Sequence, residues 1–234
     1  MATYAKKDGV HVWVAAKGKS QTEAETLAKP VLETVQTLFS DITWGHDKDD
    51  LPALVLAKVQ NQGLKVATLE VLTGGMLAQL LSLEDPIANN YTNAFAGGMV
   101  AYPMQASAAL SYLVTALEKF GSASLEAALA MARAAAELFH TDLGLAITGL
   151  AVHQLASGTR PDATRPRNNS VTVHVAVHGP PTLFSKNSIN GGQQHRSLTS
   201  PRLELEWLRE RASYGVLALL WTSLKGNGLV SRTV

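Results

Sequence analysis

From residue 64 onward, short apolar runs of strand length alternate with longer stretches whose apolar residues recur every three to four positions. This alternation limits the possible folds more than any other feature. Strands are expected at Lys65–Glu70, Phe95–Tyr102, Leu143–Thr148 and Val171–His178, with helices at Gly74–Leu83, Met104–Phe120, Leu125–Phe139 and Pro201–Leu224. Helices interleaved with strands in this way cover both faces of one sheet. The expected fold is therefore α/β: a three-layer α/β/α sandwich with a mixed or mostly parallel sheet, plus a small N-terminal α+β unit. The charged cluster His46–Asp50, followed by Leu51-Pro52, marks the boundary, because proline suits the first turn of a helix. The expected division is residues 1–45 and 46–234.

The N-terminal unit reads as strand, helix, strand. Val10–Ala16 is β-branched and aromatic, Gly18-Lys19-Ser20 makes a turn, and Ser20 with Glu23 has the capping-box spacing. Leu27, Val31, Val35 and Leu38 form the apolar stripe of the helix, and Asp41–Gly45 is expected as a short second strand. A unit of this size has little core of its own, so it should dock on the larger domain after it.

Composition removes several classes of function. Twenty Lys and Arg against 19 Asp and Glu leave a net charge of +1, with no basic surplus for neutralising a phosphate backbone. The first 45 residues also lack a Gly-x-x-Gly loop, so no nucleic-acid partner is expected. The absence of cysteine excludes disulfides, thiolate metal sites and a cysteine nucleophile. The seven histidines are dispersed; His174 and His178 would lie about 13 Å apart along a strand, so no metal is expected, and no cofactor. Pro86–Leu117 contains no Asp, Glu, Lys or Arg, but Asn, Gln, Pro and Gly-Gly divide it into pieces shorter than the roughly 20 residues a membrane span requires. The first nine residues lack the apolar segment of a secretory signal, so a cytoplasmic location is expected. Asn168-Asn169-Ser170 then fits a glycosylation sequon by chance.

In open α/β sheets ligands sit beyond the carboxyl ends of strands, which directs attention to the turns after Glu70, Tyr102 and Thr148. Thr73-Gly74-Gly75 would open a helix and point backbone amides at an anion, or simply satisfy turn geometry. Tyr102 ends an apolar strand before Pro103, and Thr148-Gly149 ends another; either could line a site or serve packing. Arg160–Arg167 carries three arginines and reads as a solvated loop or an anion grip. No Gly-x-Ser-x-Gly elbow is present.

Three segments in order carry a resemblance: VATLEVLTGG at 66–75, GGMVAY at 97–102 and GLAITG at 144–149, with Gly121-Ser122-Ala123-Ser124 before the next helix. This order resembles the C-terminal domain of the CinA family, whose corresponding stretches read like ATAESCTGG, GGVVAYSNEAK and GLAVTGIAGP. The likeness covers roughly residues 48 to 228, and residues 10–45 resemble the KH-like linker domain that precedes it. The resemblance implies a nicotinamide-mononucleotide amidohydrolase of pyridine-nucleotide salvage. It implies a serine nucleophile at the first turn, activated by a lysine with a tyrosine nearby, and a homo-oligomer, expected as a dimer. A base that takes the proton of a serine hydroxyl is what makes it nucleophilic. Here the serine position holds Val71 and the lysine position holds Ser107, while Tyr102 is retained as the one catalytic position. The stretch AVHQLASG at 151–158 also departs from the family's glycine-rich run. The expected function is therefore a catalytically degenerate CinA-like protein acting by nucleotide binding or assembly. Its pocket would be lined by Thr73, Gly74, Gly75, Tyr102, Thr148 and Gly149, taking a pyridine mononucleotide or similar small anion. The alternative is an active amidohydrolase with a rearranged mechanism using Glu70, Tyr102 or Ser107.

Overall fold

A computed structural model of the chain describes residues 1–82, 94–101, 111–149, 171–184, 189, 191–200 and 204–225. The chain opens with a hairpin, β1 (Ala2–Lys6) and β2 (Gly9–Trp13), followed by α1 (Gln21–Leu38). Then come α2 (Leu51–Asn61), β3 (Val66–Glu70), α3 (Met76–Ser82), β4 (Phe95–Val100), α4 (Ser111–Phe120) and α5 (Leu125–Phe139). The remainder is β5 (Leu143–Thr148), β6 (Val171–His178), β7 (Gln193–Ser200) and α6 (Leu205–Leu224).

The main sheet has the order β4-β3-β5-β6-β7. β3 pairs in parallel with β4 and β5, whereas β5–β6 and β6–β7 are antiparallel, so the sheet is mixed. Its two faces are covered by different helices. Val66, Ile147, Val173, Val175 and Val177 pack against Val55 and Leu56 of α2, Leu77 of α3 and Val216 and Leu220 of α6. On the other face Leu69, Val71, Ala146 and Ala176 meet Leu113 of α4 and the alanine-rich side of α5. The alanines bring α5 close to the sheet. At Gly144 in β5 a Cβ would fall within contact of the Ala132 carbonyl, so only glycine fits there.

Local chemistry fixes the helix starts. Ser20 Oγ accepts from the Glu23 amide at 3.2 Å, as the capping-box spacing predicts, while the Glu23 carboxylate accepts from the Lys19 amide. Asp50 caps α2 and Ser124 caps α5 in the same way, and His140 closes α5 in the left-handed conformation with φ 51°. α5, β5 and β6 have the bounds expected from the sequence.

Several expectations are corrected. Asp41–Gly45 is not a strand: Ile42 and Thr43 donate to Phe39 O, and Lys225 and Trp221 of the α6 end donate to Thr43 O. The backbone there is committed to a turn and to side chains, not to a ladder. The partner of β2 is β1, and β7, in a stretch read as loop, pairs antiparallel with β6 along its whole length. α3 begins at Met76, because Gly74 and Gly75 adopt φ of 63° and 96° outside the helical region. α6 starts at Leu205, and the amino-terminal part expected for α4 lies outside the described residues. Among the described residues no helix is long and apolar enough to cross a membrane, and no cluster of His, Asp and Glu could hold a metal.

Candidate functional site

β3 and β5 end side by side, and the turn Val71–Gly75 runs from the carboxyl end of β3 into α3. Strand alternation sends Thr68 and Glu70 to the α3 side and Leu69 and Val71 to the α5 side. Glu70 is fully buried, and its carboxylate organises the turn. Thr73 Oγ1 donates to Oε2 at 2.5 Å, the Leu77 amide to Oε2 at 3.0 Å and the Ala78 amide to Oε1 at 2.8 Å. The Met76 amide donates to Thr73 O. The first amides of α3, which an external anion would otherwise use, are thus taken by the chain's own carboxylate. Spacing alone did not reveal this role, although a glutamate just before a Gly-Gly helix start is the signal that could have.

Val71, at the position the resemblance gives to the nucleophile, is 7% exposed and packed in the cluster with Leu69, Leu113 and Met131. Its amide donates to Ile147 O at 3.1 Å, which ties the turn to β5. From the other face, Arg209 of α6 donates through Nε to Leu72 O at 3.0 Å. That clamp on the turn has no signature in the sequence.

Of the residues expected to line a pocket, Thr73 is buried with its hydroxyl on Glu70, and Thr148 is buried with its hydroxyl donating to Ser122 O. Gly149 is buried where a Cβ would meet Leu72 at 3.2 Å and Val173 at 3.3 Å. Gly74 is exposed and Gly75 partly so, with open space around the Gly74 Cα. Tyr102 and Ser107 lie outside the described residues, as do Arg160–Arg167 and Asn168-Asn169-Ser170. The structure therefore brings Thr73, Gly74, Gly75, Thr148 and Gly149 to one end of the sheet, and turns both hydroxyls inward.

Two titratable groupings lie on the α5 face. Next to Thr148 in register, His174 shares a hydrogen bond between Nδ1 and Ser197 Oγ at 2.9 Å, and burial, then the neighbouring His195, lowers its pKa. At the opposite end of the sheet Glu137 accepts from Tyr112 and from Arg133, both at 2.7 Å. Burial opposes ionisation of Glu137, but these two hydrogen bonds outweigh it and hold the carboxyl below its usual value. Burial first, then donation to Glu137, raises the Tyr112 phenol. Burial and the nearby Arg133 lower His178.

The arrangement of turns at this end of the sheet agrees with the match to known families. The model of the CinA C-terminal domain matches residues 48–211, and that of the damage-inducible protein CinA KH domain matches residues 1–45. The chain belongs to the CinA family. A CinA-like protein from Gloeothece citriformis is 33% identical over 162 residues, 69% of this chain and 38% of that protein. A putative competence-damage inducible protein from Natranaerobius thermophilus is 34% identical over 143 residues, 61% of this chain and 34% of that protein. The chain spans about a third to a half of the curated CinA relatives it matches. The crystal structure of a CinA superfamily protein from Enterobacter cloacae shares the fold with a TM-score of 0.52 at 23% identity, covering 78% of this chain and 97% of that one.

Proposed function

We propose that this CinA-family chain is catalytically silent and acts through binding and assembly. The observation that carries the reading is Val71: the family's nucleophile position holds a side chain with no proton to give, and that side chain is packed into the core. Glu70 also favours silence over a rearranged mechanism. A general base must reach water and substrate, and this carboxylate is sealed from solvent with the Thr73 hydroxyl and two amides already on it. Any pyridine mononucleotide or similar small anion would meet the Gly74 and Gly75 amides at the open side of the turn.

Calorimetric titration with nicotinamide mononucleotide, followed by ammonia release on the same sample, tests the reading. The expected result is no ammonia above the blank, with or without binding. Ammonia release that disappears in Ser107→Ala or Glu70→Gln would overturn it. A second arm restores the family residue: Val71→Ser alone should remain inactive, because Ser107 stands where the activating lysine belongs.

A further inference from the structure

Where the segment after α1 meets the carboxyl end of α6, the surface folds into a cavity of about 470 Å³. Trp44, Leu54 and Trp221, all half-buried, supply its apolar wall, and Lys225 and Asp49 bring one charge of each sign. Both charged groups are braced from behind and keep capacity for a ligand. Lys225 Nζ donates to Thr43 O at 2.7 Å and to Ser40 O at 3.4 Å, which leaves one of its three protons. Asp49 Oδ2 accepts from the His46 amide at 2.8 Å, which leaves Oδ1. Gly45 permits this folding of the wall, since a Cβ there would meet Asp49 Cβ at 2.8 Å. The two charges share the cavity without pairing: among the described residues no salt bridge joins them. Lys58 adds a second ammonium 5.3 Å from the centre of the Trp221 ring, where Lys225 stands at 5.4 Å. Burial, then the neighbouring Lys58, lowers the Lys225 pKa, and a carboxylate arriving here would offset both effects.

We infer that this cavity binds a zwitterion carrying an aromatic ring, the class to which the aromatic amino acids belong. The ring lies against the indoles of Trp44 and Trp221, the carboxylate accepts from Lys225, and the ammonium donates to Asp49. A simple anion would be set against Asp49, and a simple cation against two lysines, so only a ligand with both charges satisfies the whole wall. Size and setting agree, because small-molecule sites of a few hundred Å³ with aromatic walls and a few polar groups concentrate at junctions between domains. Trp44 belongs to the segment 1–45 and Asp49 to the segment 48–211, so the ligand would tie the two units together. The site is separate from the turn after β3. Arg209, which holds Leu72 O, precedes Trp221 by twelve residues on α6, about 18 Å along the helix. The inference therefore does not depend on whether that turn is silent.

NMR titration of the full chain with L-tryptophan tests it, beside tryptamine, which lacks the carboxylate, and indole-3-propionate, which lacks the ammonium. L-Tryptophan should bind with a Kd on the order of 0.1–1 mM, the range open to a ligand of its size, and each companion about tenfold more weakly. Asp49→Asn should weaken L-tryptophan about tenfold without weakening indole-3-propionate, and Lys225→Met should weaken L-tryptophan about tenfold without weakening tryptamine. Lys225 also braces the turn at Thr43, so Gln36→Trp supplies an independent block. From an exposed position on the rim it fills the cavity, and it should abolish binding with the circular dichroism spectrum unchanged. Absence of L-tryptophan binding at several times that concentration would overturn the inference. So would equal affinity for the three compounds, which would leave a stacking surface only, or binding that survives Gln36→Trp. Displacement of L-tryptophan by nicotinamide mononucleotide would overturn it as well, by moving the binding to the turn after β3.

Discussion

The N-terminal unit and the α/β sandwich follow the same patterning rules with opposite results. α5 and α1 are both capped by serine and both amphipathic, yet α5 buries seven residues and α1 none. The difference is in what each helix has to pack on. α5 lies over five sheet strands at a spacing set by alanine and Gly144, whereas α1 comes after a two-stranded hairpin too narrow to cover it. An apolar stripe specifies a face, and burial depends on whether the fold supplies a surface for it.

Substitutions should expose this contrast most sharply at Gly144. Gly144→Val drives side-chain atoms into the Ala132 carbonyl, a backbone group that cannot step aside, and should cost about 3 kcal/mol or more. Chemical denaturation monitored by circular dichroism should find little folded sandwich; a stable, soluble variant would show that α5 can lift from the sheet.

A pair of equal truncations comes next. Leu145→Ala, in a fully buried strand position, should cost about 2–5 kcal/mol, and Leu27→Ala on α1 should leave the unfolding midpoint of the sandwich within about 0.5 kcal/mol. Equal losses at the two sites would mean that the N-terminal unit is integral to the sandwich core.

Acid should destabilise the sandwich. His174, His178 and His195 all have folded pKa values below the ordinary 6.5, chiefly through burial, so the unfolded chain takes up protons first as pH falls. Stability is then fully present above pH 6.5 and declines below it. Glu137, also depressed, adds its loss only below its ordinary 4.5. Melting temperatures should fall between pH 7 and 5, and less steeply in His178→Asn. A flat profile over that range would remove the histidines from the account.

The smallest effect belongs to one of the links between the two regions. Lys7 bonds Glu210 of α6 at 3.1 Å, but both side chains meet solvent, so Lys7→Ala should cost less than about 1 kcal/mol and fade with salt. A larger loss, resistant to salt, would argue that the hairpin is firmly docked.

Much of the fold was legible because its central elements have strong, one-period patterns. Leu125–Phe139, Leu143–Thr148 and Val171–His178 are such segments. β7 escaped because Gln193–Ser200 alternates mostly polar residues on an edge strand, where only Leu198 is apolar. β1 escaped because Ala2, Ala5 and Lys6 are weak strand formers around Thr3 and Tyr4, although Asp8-Gly9 is a hairpin signal. At the candidate site the sequence pointed to the turns after β3 and β5, which the structure sets at one end of the sheet. It could not say which way Thr73 and Thr148 would point.

The amino-acid sequence by itself determined the three-layer alternation and the helix caps, because these depend on neighbours a few residues apart. Only the tertiary structure decided that Glu70 fills the amino end of α3, that Arg209 holds Leu72 from the far side of the chain, and that α1 has no surface to lie on. Those outcomes depend on which distant groups share a buried space, and the cost of leaving a carboxylate or an amide unpaired there is what settles them.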